Sequence, residues 1–238
     1  MYKIKLLENK LIADGTKMFT FEKPPDYTYE AGMAADFRLI DPPETDAEGD
    51  VRTFSLVSAP HENVISIATR IRDTAFKRVL NSLPVGSEIL IDEPFGELRL
   101  PNSNKKPLVF IAGGIGITPF YSMIKHIVKE KLPFKVMLFY SNWQPKDSAF
   151  LKELLTIAKD EPDITVINTF TAENEIITNW DGERGIINEP MLRKYIADLS
   201  VPKYYIAGPP RMVKAMKELL VSLGVSEVCI EAEDFPGY

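Results

Sequence analysis

The sequence predicts an α+β chain in two parts, an antiparallel β-barrel or sandwich followed by a parallel α/β sheet. Three observations predict it. Short strand-like runs broken by Pro and Gly fill the first hundred residues. After Pro107, strand-like and helix-like runs alternate. A glycine-rich turn, Gly113–Thr118, sits where a β-branched apolar run hands over to helical apolar spacing.

The elements follow in order from local pattern. In the first part, strand character covers Lys3–Leu7, Met18–Glu22, Ala35–Ile40, Arg52–Val57, Val64–Arg70 and Glu88–Asp92. Breakers separate these runs: Asp14-Gly15, Pro24-Pro25-Asp26, Asp41-Pro42-Pro43 and Pro84-Val85-Gly86. Thr74 to Leu83 has helical spacing and is the exception. The polar, turn-rich stretch after Leu98 divides the chain into expected domains 1–100 and 107–238, with 101–106 as linker. In the second part, strands fit Leu108–Ala112, Phe134–Tyr140, Ile164–Thr169, Tyr204–Ala207 and Glu227–Ile230. Helices fit Thr118–Lys131, Ala149–Lys159, Met191–Leu199 and Arg211–Leu223. Such alternation builds a parallel sheet covered by helices on both faces, and ligands bind at the carboxyl ends of its strands.

Composition narrows the function. The chain has 238 residues, 45% of them hydrophobic, enough for a sizeable core. A net charge of −6 argues against general nucleic-acid binding. No apolar run approaches the length of a membrane span, and the N-terminus lacks a signal-peptide pattern. Cys229 is the single cysteine, so an internal disulfide and a four-cysteine cluster are both excluded. Reducing, cytoplasmic surroundings are expected. The only histidines, His61 and His126, lie far apart in the sequence, and no metal centre is expected.

The glycine turn reads as a phosphate cradle. Gly113, Gly114 and Gly116 let backbone approach an anion, and the N–H groups of a first helical turn point at it. Thr118 stands where an N-cap hydroxyl belongs and Pro119 where the first helical residue belongs. Two more loops fall at strand ends on the same edge. One is Ser141-Asn142-Trp143; the other is Gly208-Pro209-Pro210-Arg211-Met212. Arg70, Arg72, Lys77 and Arg78 form a cationic cluster suited to a polyanion.

Four motifs, in order, then resemble one family. Arg52-Thr53-Phe54-Ser55 resembles the Arg-x-Tyr-Ser flavin motif of the ferredoxin–NADP reductase-like superfamily. Gly113–Pro119 resembles its pyridine-nucleotide loop, Ala207-Gly-Pro-Pro-Arg-Met212 its Cys-Gly-Pro-x-x-Met segment, and Glu233–Tyr238 its acidic-aromatic tail. The resemblance implies a flavin-binding antiparallel β-barrel followed by an NAD(P)H-binding α/β domain. It implies FAD as cofactor, with Arg52 on its pyrophosphate, Phe54 against its ring and Ser55 at flavin N5. The stretch Thr69-Arg70-Ile71-Arg72-Asp73-Thr74-Ala75-Phe76-Lys77 replaces the family's Gly-x-x-Ser helix start, with Thr74 for the glycine and Lys77 for the hydroxyl residue. Thr69, Arg70, Ile71, Thr74, Ala75, Phe76 and Lys77 are therefore expected cofactor contacts. Glu233 is expected to relay protons with Ser55, and Tyr238 to cover the ring. Ala207 stands where relatives carry cysteine. Cys229 is expected on the last strand as a buried thiol.

The implied activity is hydride transfer from NAD(P)H to flavin, then electron transfer to an external acceptor such as a ferredoxin, an oxygenase component or a small molecule. NADPH is slightly favoured on Ser141. Arg70, Arg72, Lys77, Arg78, Lys105 and Lys106 are candidates for docking an acidic carrier. The alternatives are an electron-transfer subunit of a larger complex and a non-enzymatic nucleotide-binding module.

Overall fold

The computed structural model describes residues 1–102, 106–172 and 180–235. Six antiparallel strands come first: β1 (Tyr2–Ala13), β2 (Thr16–Glu22), β3 (Ala34–Leu39), β4 (Val51–Ser55), β5 (Val64–Arg70) and β6 (Glu88–Ile91), with α1 (Ala75–Ser82) between the last two. Their order is β4-β3-β6-β1-β2-β5. Just past β4, the Val57 N–H donates to the Ser66 carbonyl of β5 at 2.7 Å, which links the two edges of the sheet. Period-2 alternation turns Ile4, Leu6, Phe19, Phe21, Phe37, Ile65, Ile67 and Ile89 inward to one core.

Strand β1 runs past the expected Leu7. Its first residues pair with β6 and its second half pairs with β2. Glu8, Asn9 and Lys10 lie on that outer half, where backbone pairing persists without an apolar stripe to announce it.

The second part is a six-stranded parallel sheet ordered β10-β9-β8-β7-β11-β12. Its strands are β7 (Leu108–Gly113), β8 (Val136–Asn142), β9 (Ile164–Phe170), β10 (Glu183–Arg184), β11 (Lys203–Gly208) and β12 (Ile230–Asp234). Its helices are α2 (Ile117–Glu130), α3 (Leu151–Asp160), α4 (Glu189–Tyr195) and α5 (Pro210–Ser222). The central strand β7 is buried throughout, as a strand covered on both faces must be. Strand order reverses at β7, so the crevice between β7 and β11 is the topological switch point.

Two local expectations are corrected. Thr118 does not cap a helix, and Pro119 does not open one. A 3₁₀ turn, Gly114–Gly116, runs into α2 at Ile117, so Thr118 is its second residue and Pro119 its third. The Thr118 hydroxyl instead donates back to the Ile115 carbonyl at 3.0 Å. Glu227–Cys229 is a 3₁₀ turn, and the last strand begins at Ile230. Cys229 is thus half-buried on a turn, its sulfur 3.2 Å from the Lys106 ammonium, rather than sealed in a strand.

The two parts share a core. Ala31, Val57, Ala68 and Leu98 of the first pack with Phe110, Ile117, Phe120 and Met123 of the second. Polar ties reinforce the seam: Ser122 Oγ on α2 donates to the Ser58 carbonyl at 2.8 Å, and Tyr205 Oη to the Arg99 carbonyl at 2.9 Å. No helix among the described residues is long and apolar enough to cross a membrane.

Candidate active site

A cavity of about 650 Å³ opens between the two sheets. Residues Val51–Ser55 of β4, Ala68–Arg70 of β5 and Thr74 and Lys77 of α1 line one side. Ile115 and Thr118 from the glycine turn and α2, and Glu233–Phe235 at the chain's end, line the other. Of the expected site residues, Arg52, Thr53, Phe54, Ser55, Thr69, Arg70, Thr74, Lys77, Thr118 and Glu233 therefore meet at one place.

Strand alternation divides β4 into two sets of residues. Phe54 lies between aromatic neighbours, edge-on to Phe37 at 5.8 Å and tilted against Phe76 at 5.9 Å between ring centroids. Phe76 also lies 5.3 Å from the Arg52 guanidinium. On the alternate positions, the Thr53 hydroxyl donates to the Asp36 carboxylate. Ser55 is buried, and its Oγ has no hydrogen-bond partner among the described residues. A buried hydroxyl without a partner is costly, so its retention on a cavity wall points to a partner that enters from the cavity.

Beside the cavity residues Arg52, Thr74 and Lys77 lies an anion site already holding a carboxylate. Thr74 caps α1, its hydroxyl accepting from the Lys77 N–H at 3.4 Å. The Ala75 N–H, next along that helix start, donates to Asp46 Oδ2 at 3.0 Å. The other oxygen, Asp46 Oδ1, lies 3.2 Å from Arg52, which also pairs with Glu48 at 2.8 Å. One carboxylate thus bridges a helix N-terminus and an arginine fork, the two groups that bind phosphate elsewhere. Burial, then the charges of Arg72 and Arg52, hold the Lys77 ammonium below its ordinary range. The acidic loop Asp46–Asp50 is a feature that motif reading did not single out; its position directly before Arg52 is the only local signal.

Other expected contacts lie off the cavity wall. Ile71 packs on the barrel core, Ala75 is buried, and Phe76 supports Phe54 from beneath. The cationic cluster is divided: Arg78 is bound by Glu44 and Asp73, both at 2.5 Å, while Lys77 turns to the cavity. Lys105 and Tyr238 lie outside the described residues.

Gly113, Gly114, Gly116, Pro119, Ser141, Asn142, Gly208, Pro209, Pro210 and Met212 gather at the carboxyl edge of the parallel sheet, on the adjacent strands β8, β7 and β11 or just beyond them. Glycine is required at two of these positions for distinct reasons. A Cβ on Gly116 would lie 2.2 Å from the Ala207 carbonyl oxygen, so the turn can press against β11 only without a side chain. Gly208 has φ +154 and sits against Gly113, joining the two loops. The Phe235 N–H donates to the Gly208 carbonyl at 2.9 Å, which docks the chain's last described residue at this junction. Asn142 and Asn168 are buried on β8 and β9 with both amide atoms unpartnered among the described residues.

Residues 110–218 match the family model described as the oxidoreductase NAD-binding domain. A ferredoxin NADP+ reductase from Neisseria gonorrhoeae, solved with bound FAD and NADP, superposes with a TM-score of 0.81 at 22% identity, over 98% of each chain. The two-part fold is that of the ferredoxin NADP+ reductase. The chain is 28% identical over 201 residues to one component of the Na(+)-translocating NADH-quinone reductase of Pasteurella multocida, covering 79% of this chain and 49% of the relative. It is 26% identical over 226 residues to NADH-cytochrome b5 reductase 2 of Lodderomyces elongisporus, covering 92% of this chain and 74% of that one. The chain thus spans about half the length of the quinone reductase component it matches.

Proposed function

We propose that the chain is an FAD-dependent NAD(P)H reductase that hands electrons to an external acceptor. The observation that carries this reading is the paired chemistry beside one cavity: an unpartnered buried hydroxyl, Ser55, and an anion cradle on Arg52 and the start of α1 that holds Asp46. Both fit a flavin nucleotide, whose ring needs a hydrogen-bonding neighbour and whose diphosphate needs cations and helix N–H groups. When bound, the flavin supplies the capacity to take a hydride from a nicotinamide and release the electrons singly or in pairs.

The chain's own residues bind and orient. Arg52, Lys77 and the start of α1 take the diphosphate in place of the Asp46 carboxylate. Phe54, braced by Phe37 and Phe76, gives a rigid apolar wall. Ser55 offers a hydroxyl that either donates or accepts. Gly113–Thr118 and the Gly208–Met212 loop hold the nicotinamide nucleotide at the switch point. Burial, then the charge of Asp234, holds the Glu233 carboxyl above its usual range, so it keeps a proton to higher pH than an exposed glutamate. Domains 1–100 and 107–238 and the 101–106 linker are part of the same reading, as are NADPH as the preferred donor, on the Ser141 hydroxyl, and Tyr238 as a cover for the site.

The acceptor is a protein carrier, an oxygenase component or a small oxidant. The match to half of a quinone reductase component favours one second reading, an electron-transfer part of a larger assembly. Anaerobic titration of the FAD-loaded protein with NADPH and NADH tests the proposal. Loss of visible flavin absorbance is expected; a spectrum that neither nucleotide bleaches refutes it. Profiling the reduced protein against ferredoxin, quinones, cytochrome and ferric salts then separates the acceptors.

A further inference from the structure

Away from that cavity, the fold assembles a cluster that the sequence keeps apart. His61 lies between β4 and β5, and His126 and Glu130 are one turn apart on α2. Each offers one ligand atom, and the three atoms lie within 4.8 Å of one another. The two imidazoles stack at 6.5 Å between centroids with planes 18° apart. His126 Nδ1 is buried without a hydrogen-bond partner among the described residues.

We propose that His61, His126 and Glu130 form a divalent transition-metal site, of the zinc class, that bridges the barrel to the α/β sheet. The donor set of two imidazoles and one carboxylate suits zinc and its nitrogen-binding neighbours rather than calcium or magnesium, which take oxygen ligands. A tetrahedral ion with Zn–N distances of about 2.0 Å brings ligand atoms to about 3.3 Å from one another, so small side-chain rotations close the site. His126 and Glu130 share a helix face at i,i+4 spacing, and the fourth position is left to water.

The surroundings support a cation. Lys125, the ammonium next to His126 on the helix, is already neutralised by the Glu62 carboxylate. The same ion pair, with the Ser122 to Ser58 hydrogen bond, fixes this loop of the barrel against α2. The ligands therefore sit on two segments already held in contact, and an ion here ties the two parts together. The site is independent of the flavin reading, because none of its residues lines that cavity.

The test uses tag-free, chelator-treated, FAD-loaded protein titrated with zinc chloride by calorimetry, with magnesium chloride as the control ion. One zinc per chain is expected, with no magnesium heat. His61→Ala removes an exposed ligand without touching α2, and is expected to weaken zinc binding at least about ten-fold. It is also expected to abolish the zinc-induced rise in thermal midpoint. Cys229→Ser, the control for a thiol site, is expected to keep full affinity. Equal zinc affinity in parent and His61→Ala, or loss of binding in Cys229→Ser alone, overturns the proposal.

Discussion

Replacing Ser55 by alanine is expected to raise the stability of the flavin-free fold and to lower flavin affinity. Ser55 is only 7% exposed and its Oγ has no partner among the described residues. An unsatisfied buried hydroxyl costs about 1–3 kcal/mol, and alanine removes it while leaving the strand's shape intact. The lower end of that range applies, because one oxygen's packing is lost with it. Flavin-free Ser55→Ala is therefore expected to be more stable by about 1 kcal/mol, a rise in thermal midpoint of about 2–4 °C for a chain of this size. With flavin bound, the hydroxyl of the parent has a partner and the advantage of alanine disappears. Flavin affinity should fall about five-fold, the equivalent of one hydrogen bond of about 1 kcal/mol. Calorimetric unfolding of both proteins, with and without FAD, reads all four stabilities. Stopped-flow reduction adds the rate, expected to fall about ten-fold. A flavin-free variant less stable than the parent, with unchanged flavin affinity and reduction rate, would refute the assignment of this hydroxyl to the cofactor.

Three further outcomes are expected. Gly116→Ala forces a methyl to within 2.2 Å of the Ala207 carbonyl oxygen although its φ of −59 suits any residue. The turn must retreat by about 1 Å at a cost of about 1–3 kcal/mol, and a urea midpoint equal to the parent's would show that the close approach is not needed. Asp46→Asn removes the carboxylate that competes for Arg52 and the Ala75 N–H, so FAD should bind more tightly and Arg52→Ala should bind it more weakly; fluorescence titration giving one constant for all three proteins contradicts the cradle. Glu233 has a raised folded-state pKa, so its stabilising share is complete below the ordinary carboxylate range and is lost as pH rises through the raised value. Glu233→Gln, which stays neutral, is expected to gain stability over the parent at pH 7 and to match it in acid; a gap that does not change with pH would remove Glu233 from this role.

Particular residues show how far the chain's pattern reaches. Val64–Arg70 is a strand with the bounds its alternation predicts, and the helical spacing of Thr74 to Leu83 is α1, with Thr74 as its cap. Both depend on neighbours within one or two turns of chain. Thr118 defeats the same logic: the glycines before it wind into a 3₁₀ turn that begins the helix early, because Gly116 can nest against β11. The middle of β1 is strand because β2 pairs with it, and its polar residues carry no signal of that pairing.

What the sequence by itself determined is the order and kind of the elements, the glycine turn at the switch point and the strand that presents Arg52, Phe54 and Ser55. These rest on periodicity and backbone freedom, which are local. Only the tertiary structure decided which distant groups meet. Asp46 reaches the start of α1 across twenty-nine residues, and His61 comes to stack on His126 from the other side of the molecule's seam. Sheet pairing and the shared core set those distances, and neither is written in the few residues around an aspartate or a histidine.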